Sequence, residues 1–298
     1  MLASLRTKGI EPFVTLWHWT LPSWLAEQGG VLAPEFAWYF ARFAAFVGKE
    51  FGDSVTYFIT LNEPDVLAAH AYLKGVWPPQ EKSVLKYFRA LKALSHAHRL
   101  SYRVLKEQNS DFQIGIAKHQ VAFEMKTPTL LNRLLKKLAE FFWNDWFLRQ
   151  VKGTQDFIGL NHYNRNVIAN GYGKNPNQVQ TDFGWEYWPE SLETALVELK
   201  KYALPIYVTE NGLADSTDRL RPDFIPRALA AAERAIEQGV DLRGYFYWSL
   251  LDNFEWDKGF WPRFGLVEVD FATQKRSLRP SARLYAQIAE KNGLEKPS

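Results

Sequence analysis

Six short runs of almost unbroken apolar character, each followed by a longer segment of helical periodicity, constrain this chain more than any other feature. The runs are Glu11–Trp17, Thr56–Leu61, Gln113–Lys118, Phe157–Asn161, Ile206–Thr209 and Gly244–Ser249. A strand with one face in water alternates apolar with polar residues, whereas a strand covered on both faces does not. These runs therefore read as buried parallel strands. Period-3.6 patterns predict helices over Phe36–Glu50, Val84–Gln108, Leu130–Lys152, Leu192–Tyr202, Ile225–Gln238 and Ala282–Lys291. In the first, Phe40, Phe43, Ala44 and Val47 share a face; Gly9, Gly52, Gly153, Gly239 and Pro205 mark the returns to strand. Repeated strand–helix units place the chain in the α/β class. The best fit is a TIM-type (β/α)8 barrel that is incomplete, with about six βα units visible. No Pro/Gly/Ser-rich linker interrupts the sequence, so residues 1–298 read as a single partial barrel domain. Asn164–Trp188, with Gly171, Gly173, Pro176 and Asn177, reads as an inserted loop.

The ends of these runs carry the chemistry. They close on Trp17-His18-Trp19, Asn62-Glu63-Pro64, Asn161-His162-Tyr163, Glu210-Asn211-Gly212 and Trp248-Ser249, and in a barrel such ends form the catalytic rim. A carboxylate placed directly after a buried strand, twice, is not what packing calls for. Two such groups suit glycoside hydrolysis, in which one carboxyl protonates the leaving oxygen and the other acts as an ionised base or nucleophile. A separation of about 5–5.5 Å gives retention and about 6.5–9.5 Å inversion, a distance that sequence does not measure. The two roles need environments that push the two pKa values apart.

Composition narrows the field. With no cysteine there is no disulfide and no thiolate metal site, and His119 and His162 have no partner at metal-ligand spacing, so neither metal nor cofactor is expected. The formal net charge is +3 and the densest basic stretch, Lys275–Arg279, is short, which argues against nucleic acid. No apolar run approaches the ~18 residues of a membrane span and no signal core opens the chain, so no membrane association and a cytoplasmic location are expected. Twelve Trp, 13 Tyr and 21 Phe suit the flat C–H faces of sugars as well as an ordinary core.

The motifs together resemble glycoside hydrolase family 1. Thr60-Leu61-Asn62-Glu63-Pro64 and Thr209-Glu210-Asn211-Gly212 are similar to that family's acid/base and nucleophile signatures, 147 positions apart (210 − 63). His18-Trp19-Thr20-Leu21-Pro22, Asp156–Tyr163 and Gly244–Trp256, continuing through Arg263-Phe264-Gly265-Leu266, resemble further family segments, so the likeness runs from about Gly9 to Ala289. The resemblance implies a retaining exo-β-glycosidase of β-glucosidase or β-galactosidase type, acting on a small glycoside or oligosaccharide through a covalent glycosyl-enzyme. Glu63 would be acid/base and Glu210 nucleophile; Asn62 would hold the 2-hydroxyl, and Tyr163 would orient Glu210. His18, Trp19 and Asn161 would line the glycone site, Trp248 would form its floor, Glu255 and Trp256 would take the 4- and 6-hydroxyls, and Phe264 would shape the pocket. Lys258 and Arg263 could suit a phospho-sugar, but Glu255 opposes a phosphate.

The family's first two strands have no counterpart here, and with them go a Gln that binds the glycone and an Arg beside the nucleophile. Expected consequences are a less depressed nucleophile pKa, reduced turnover and broad glycone tolerance. Strand edges near Phe13 and Phe246 predict a homo-oligomer that covers them. The alternative is a catalytically impaired sugar-binding or structural remnant that assembles with another chain. Asp65, where relatives often carry Asn or an aromatic, adds a carboxylate that would raise the acid's pKa or alter aglycone preference.

Overall fold

The computed structural model describes residues 1–172 and 175–294, so Gly173 of the expected loop lies outside the described residues. All six apolar runs form strands. The strands are β1 (Phe13–Trp17), β2 (Tyr57–Asn62), β3 (Gln113–His119), β4 (Ala122–Met125), β5 (Phe157–Asn161), β6 (Arg165–Ile168), β7 (Ile206–Asn211), β8 (Leu242–Tyr247), β9 (Val267–Val269) and β10 (Arg276–Leu278). A six-stranded sheet has the order β1-β2-β3-β5-β7-β8, while β4 pairs with β6 and β9 with β10. Sequential order with helical crossovers is the (β/α) repeat of a TIM-type barrel, present here as six of its eight units.

The chain divides into two compact units. The first comprises Met1–His119 and Phe141–Gly159. Within it β1 runs parallel to β2, with Phe13 opposite Tyr57, and β2 parallel to β3, with Phe58 opposite Ile114. Phe58, Leu61, Ile114 and Ile116 are fully buried, which explains why these strands lack alternation. Helix Phe36–Phe51 packs on helix Val84–Gln108, whose start is capped by Ser83 Oγ accepting from Lys86 N at 3.3 Å.

The second unit comprises Gln120–Glu140 and the chain from Leu160 onward. Here β7 runs parallel to β8, and helix Ser191–Leu199 packs on helix Arg221–Glu237. The loop after β8 is tied down by Asp252. Its buried carboxylate pairs with Arg279 at 3.0 Å and accepts from Gly265 N at 2.9 Å.

Two expectations are corrected. The helix over Leu130–Lys152 is not continuous. Leu130–Ala139 gives way to a π-helical segment, Glu140–Asp145, before Trp146–Gln150, and the wider turn buries Asn144 and Asp145. Asn164–Trp188 is not wholly loop, because β6 within it runs parallel to β4, pairing Phe123 with Asn166. Four-residue strands are too short to leave a clear period in sequence.

Candidate active site

In the first unit, the candidates sit at the ends of β1 and β2. Asn62 is the last residue of β2, and Glu63 follows in a left-handed conformation (φ 41°, ψ 60°) at the start of helix Pro64–Ala68. Its amide donates to Ala117 O of β3 at 2.7 Å, and the residue is buried. Trp19 is also left-handed (φ 80°), and its indole Nε1 donates to Asn62 O at 2.8 Å. Bulky L residues rarely adopt such angles except where surroundings impose them, often at functional sites. Burial pushes the His18 imidazole down to about 4. The ring is therefore neutral at physiological pH, and its Nε2, 3.0 Å from Asn62 Nδ2, accepts that amide's hydrogen. Trp19 lies 4.7 Å from Trp77, which stacks on His70 at 4.5 Å; sequence reading had not singled out this pair.

In the second unit, Glu210 is buried in β7. Tyr163 Oη donates to its Oε2 at 2.7 Å, and the Glu210 carbonyl accepts from His162 N at 2.9 Å. Burial pushes the Glu210 carboxyl up to about 8; hydrogen bonds from Tyr163 and Asn161 oppose the rise, and the charge of Glu255 adds to it. Glu255 is itself pushed up to about 7, first by burial and then by Asp257. Asn161 is fully buried, with its Oδ1 accepting from Thr209 Oγ1 at 2.7 Å. The Asn211-Gly212 pair after Glu210 has a packing reason. Asn211 O accepts from Trp248 N at 3.0 Å, and a Cβ at Gly212 would meet Trp248 O at 2.0 Å. Only glycine allows the chain just after β7 to run this close to Trp248. Trp248 is half-buried, and Trp256, at φ 49°, opens a 3₁₀ turn directly after Glu255.

Phe264 is buried in an aromatic cluster with Tyr163 (6.2 Å), Phe183 (6.0 Å) and Trp185 (6.4 Å), and Trp261 stacks on Phe183 at 5.8 Å. Phe183, Trp185 and Trp261 were not picked out in sequence, where their loops show no period. His162 is a satisfied core residue, within 2.8 Å of both Gln120 O and Ser191 Oγ. Gln120 is another residue that sequence reading passed over: it is fully buried, and neither side-chain polar atom has a hydrogen-bond partner among the described residues. Asp65 is wholly buried beside Lys118, its Oδ2 3.1 Å from the ammonium.

Comparison with known proteins identifies the family. The family model described as "Glycosyl hydrolase family 1" matches residues 1–152 and 131–294. The chain is 33% identical to Beta-glucosidase A of Thermotoga maritima, over 99% of this chain and 77% of that protein. It is 31% identical to a Beta-galactosidase of Sulfolobus acidocaldarius, over 99% of this chain and 69% of that one. A solved structure, the Thermotoga maritima beta-glucosidase in complex with deoxynojirimycin, superposes with a TM-score of 0.90 at 33% identity, covering 99% of this chain and 77% of that chain. No helix among the described residues is long and apolar enough to cross a membrane. The chain belongs to glycosyl hydrolase family 1 and is a glycoside hydrolase of that retaining family.

Proposed function

We propose that this chain is an exo-acting β-glycosidase that removes a terminal β-linked glucose or galactose from a small glycoside. Glu63 protonates the leaving oxygen and then activates water, and Glu210 attacks the anomeric carbon. The observation that carries the reading is the 2.7 Å bond from Tyr163 to Glu210, which fixes one carboxylate oxygen and with it the orientation of the group. Asn62 and His18, already oriented by each other, would bind glycone hydroxyls. Asn161, Trp19, Trp248, Glu255, Trp256 and Phe264 complete the proposed glycone site. Glucose and galactose are both supported as glycones because the relatives include a β-glucosidase and a β-galactosidase. A phospho-sugar is disfavoured, since Lys258 pairs with Asp257 at 2.6 Å and Arg263 donates to Val269 O at 3.0 Å.

A nucleophile pushed up to about 8 is mostly protonated at neutral pH, which supports slow turnover there, rising with pH. Release of nitrophenol from aryl β-glycosides by the wild type, its loss in Glu210→Ala, and azide rescue yielding an inverted glycosyl azide would support the assignment. Equal activity in wild type and variant would overturn it. Self-association is a second expectation. β1 and β8 lie at the two ends of the strand order, and end strands favour pairing with another chain. Sedimentation as a monomer at micromolar concentration would exclude it.

A further inference from the structure

We infer that Asp65 and Lys118 are positioning residues that seat Glu63 for proton transfer. The inference rests on the acid/base role proposed for Glu63 and concerns how this chain holds that residue. Lys118 is fully buried and Asp65 is 2% exposed, 3.1 Å apart. Opposite charges so deep are retained only when each is closely compensated. The ammonium donates to His119 O and to Trp143 O at 2.9 Å, and its third contact, 3.1 Å from Asp65 Oδ2, is an ion pair without hydrogen-bond geometry. Trp143 belongs to the π-helical segment Glu140–Asp145, so the break in that helix brings a carbonyl to Lys118.

What links this pair to the reaction is its place in the chain. Asp65 is two residues beyond Glu63, and Lys118 directly follows Ala117, whose carbonyl accepts the Glu63 amide at 2.7 Å. Glu63 is thus bracketed by two ties to consecutive residues of β3, a backbone bond at its own nitrogen and an ion pair in the first turn of the helix it opens. Its left-handed backbone needs such bracketing, because a strained conformation persists only where the surroundings over-determine it. Burial pushes the Asp65 carboxyl up and the Lys118 ammonium opposes that rise, so the ion pair depends on both partners. A general acid works only within hydrogen-bond reach of its oxygen, so a looser Glu63 turn impairs proton donation before it impairs sugar binding.

The test compares two substrates on each protein: an alkyl β-glucoside, whose poor leaving group needs the acid, and 2,4-dinitrophenyl β-glucoside, whose leaving group does not. Asp65→Asn, an isosteric change, is expected to lower kcat/KM for the alkyl glucoside at least about 10-fold while the dinitrophenyl value stays within about 3-fold. With the dinitrophenyl substrate, kcat and KM should fall together, because Glu63 also activates water in the second step. Lys118→Met should show the same split. The ratio between substrates does not depend on how much of a variant is folded, so a less stable variant remains informative. Parallel loss on both substrates, or wild-type values on both, would overturn the inference. Glu63→Ala serves as the control. A split there without one in Asp65→Asn and Lys118→Met rejects the positioning role alone, whereas no split in Glu63→Ala rejects the acid/base assignment itself.

Discussion

Replacing Glu210 by Gln isolates what it costs to hold an ionisable carboxyl in this site. The group's ordinary value is 4.5, and burial raises it to about 8 in the folded chain. Between those values the folded chain keeps a proton that the unfolded chain has lost. Stability attributable to Glu210 is therefore full below about pH 4.5, falls as pH rises, and levels off above about pH 8. At about 1.4 kcal/mol for each tenfold step, the total is at most about 5 kcal/mol. Glu210→Gln keeps the acceptor for Tyr163 and removes the titration, so its stability advantage should grow across that window. At about 2 °C per kcal/mol for a chain of this size, the advantage approaches ~10 °C in Tm. Glu198 and Glu255 are also pushed up, to about 8 and about 7, but both proteins carry them, so to first order they drop out of the difference. The assay is calorimetry or thermal circular dichroism of both proteins at pH 5 and pH 8.5. A Tm difference equal at the two pH values would refute the argument that burial, unrelieved, sets the state of this carboxyl.

Three further outcomes are expected. Tyr163→Phe removes a bond to a buried acid that favours its charged form by about 1.5–3 kcal/mol, so the acid limb of kcat/KM should move upward by roughly 1–2 pH units; an unmoved limb would show that the 2.7 Å bond does not tune Glu210. Gly212→Ala puts a Cβ 2.0 Å from Trp248 O and should destabilise the fold by about 2 kcal/mol or more, read by denaturant midpoint, with a wild-type midpoint counting against the close approach. Arg221 is fully buried and joins Tyr247 Oη, at 2.9 Å, to Asp215 O, at 2.8 Å, and to Asp218, so Arg221→Met should cost about 3–5 kcal/mol by leaving buried acceptors and a carboxylate uncompensated. A melting temperature unchanged by that substitution would remove the buried network as a support of the loop after β7.

Particular elements show where sequence reading reached its limit. Helix Val84–Gln108 was legible to the residue, because it is long, strongly periodic and capped by Ser83. Strands β2, β3, β5 and β7 were legible because burial on both faces leaves an unbroken apolar run, whereas β1 and β8, buried only in part, were legible from their apolar composition. β4 and β6 were not, since a short pair formed between distant segments has no local signature. The π-helical break at Glu140–Asp145 was equally hidden, because an i→i+5 turn differs from an α-turn only in where one extra residue is accommodated.

Within the candidate site the division is the same. Motif order and strand position alone nominated Glu63 and Glu210, because a carboxylate after a buried run is anomalous whatever surrounds it. The family, and with it the class of reaction, followed from those motifs. The resemblance paired Tyr163 with Glu210, and the tertiary structure gave the oxygen it binds; only the structure supplied Asn62 against His18 and the aromatic wall of Phe183, Trp185 and Trp261. It also turned Asp65 from an extra carboxylate into half of a buried ion pair with a lysine that no motif had marked. A pKa, a neutral tautomer and a buried pair are set by desolvation and by atoms within about 3 Å, which come from residues far apart in the chain. The linear sequence specifies which groups are present, and folding specifies the environment that acts on each of them.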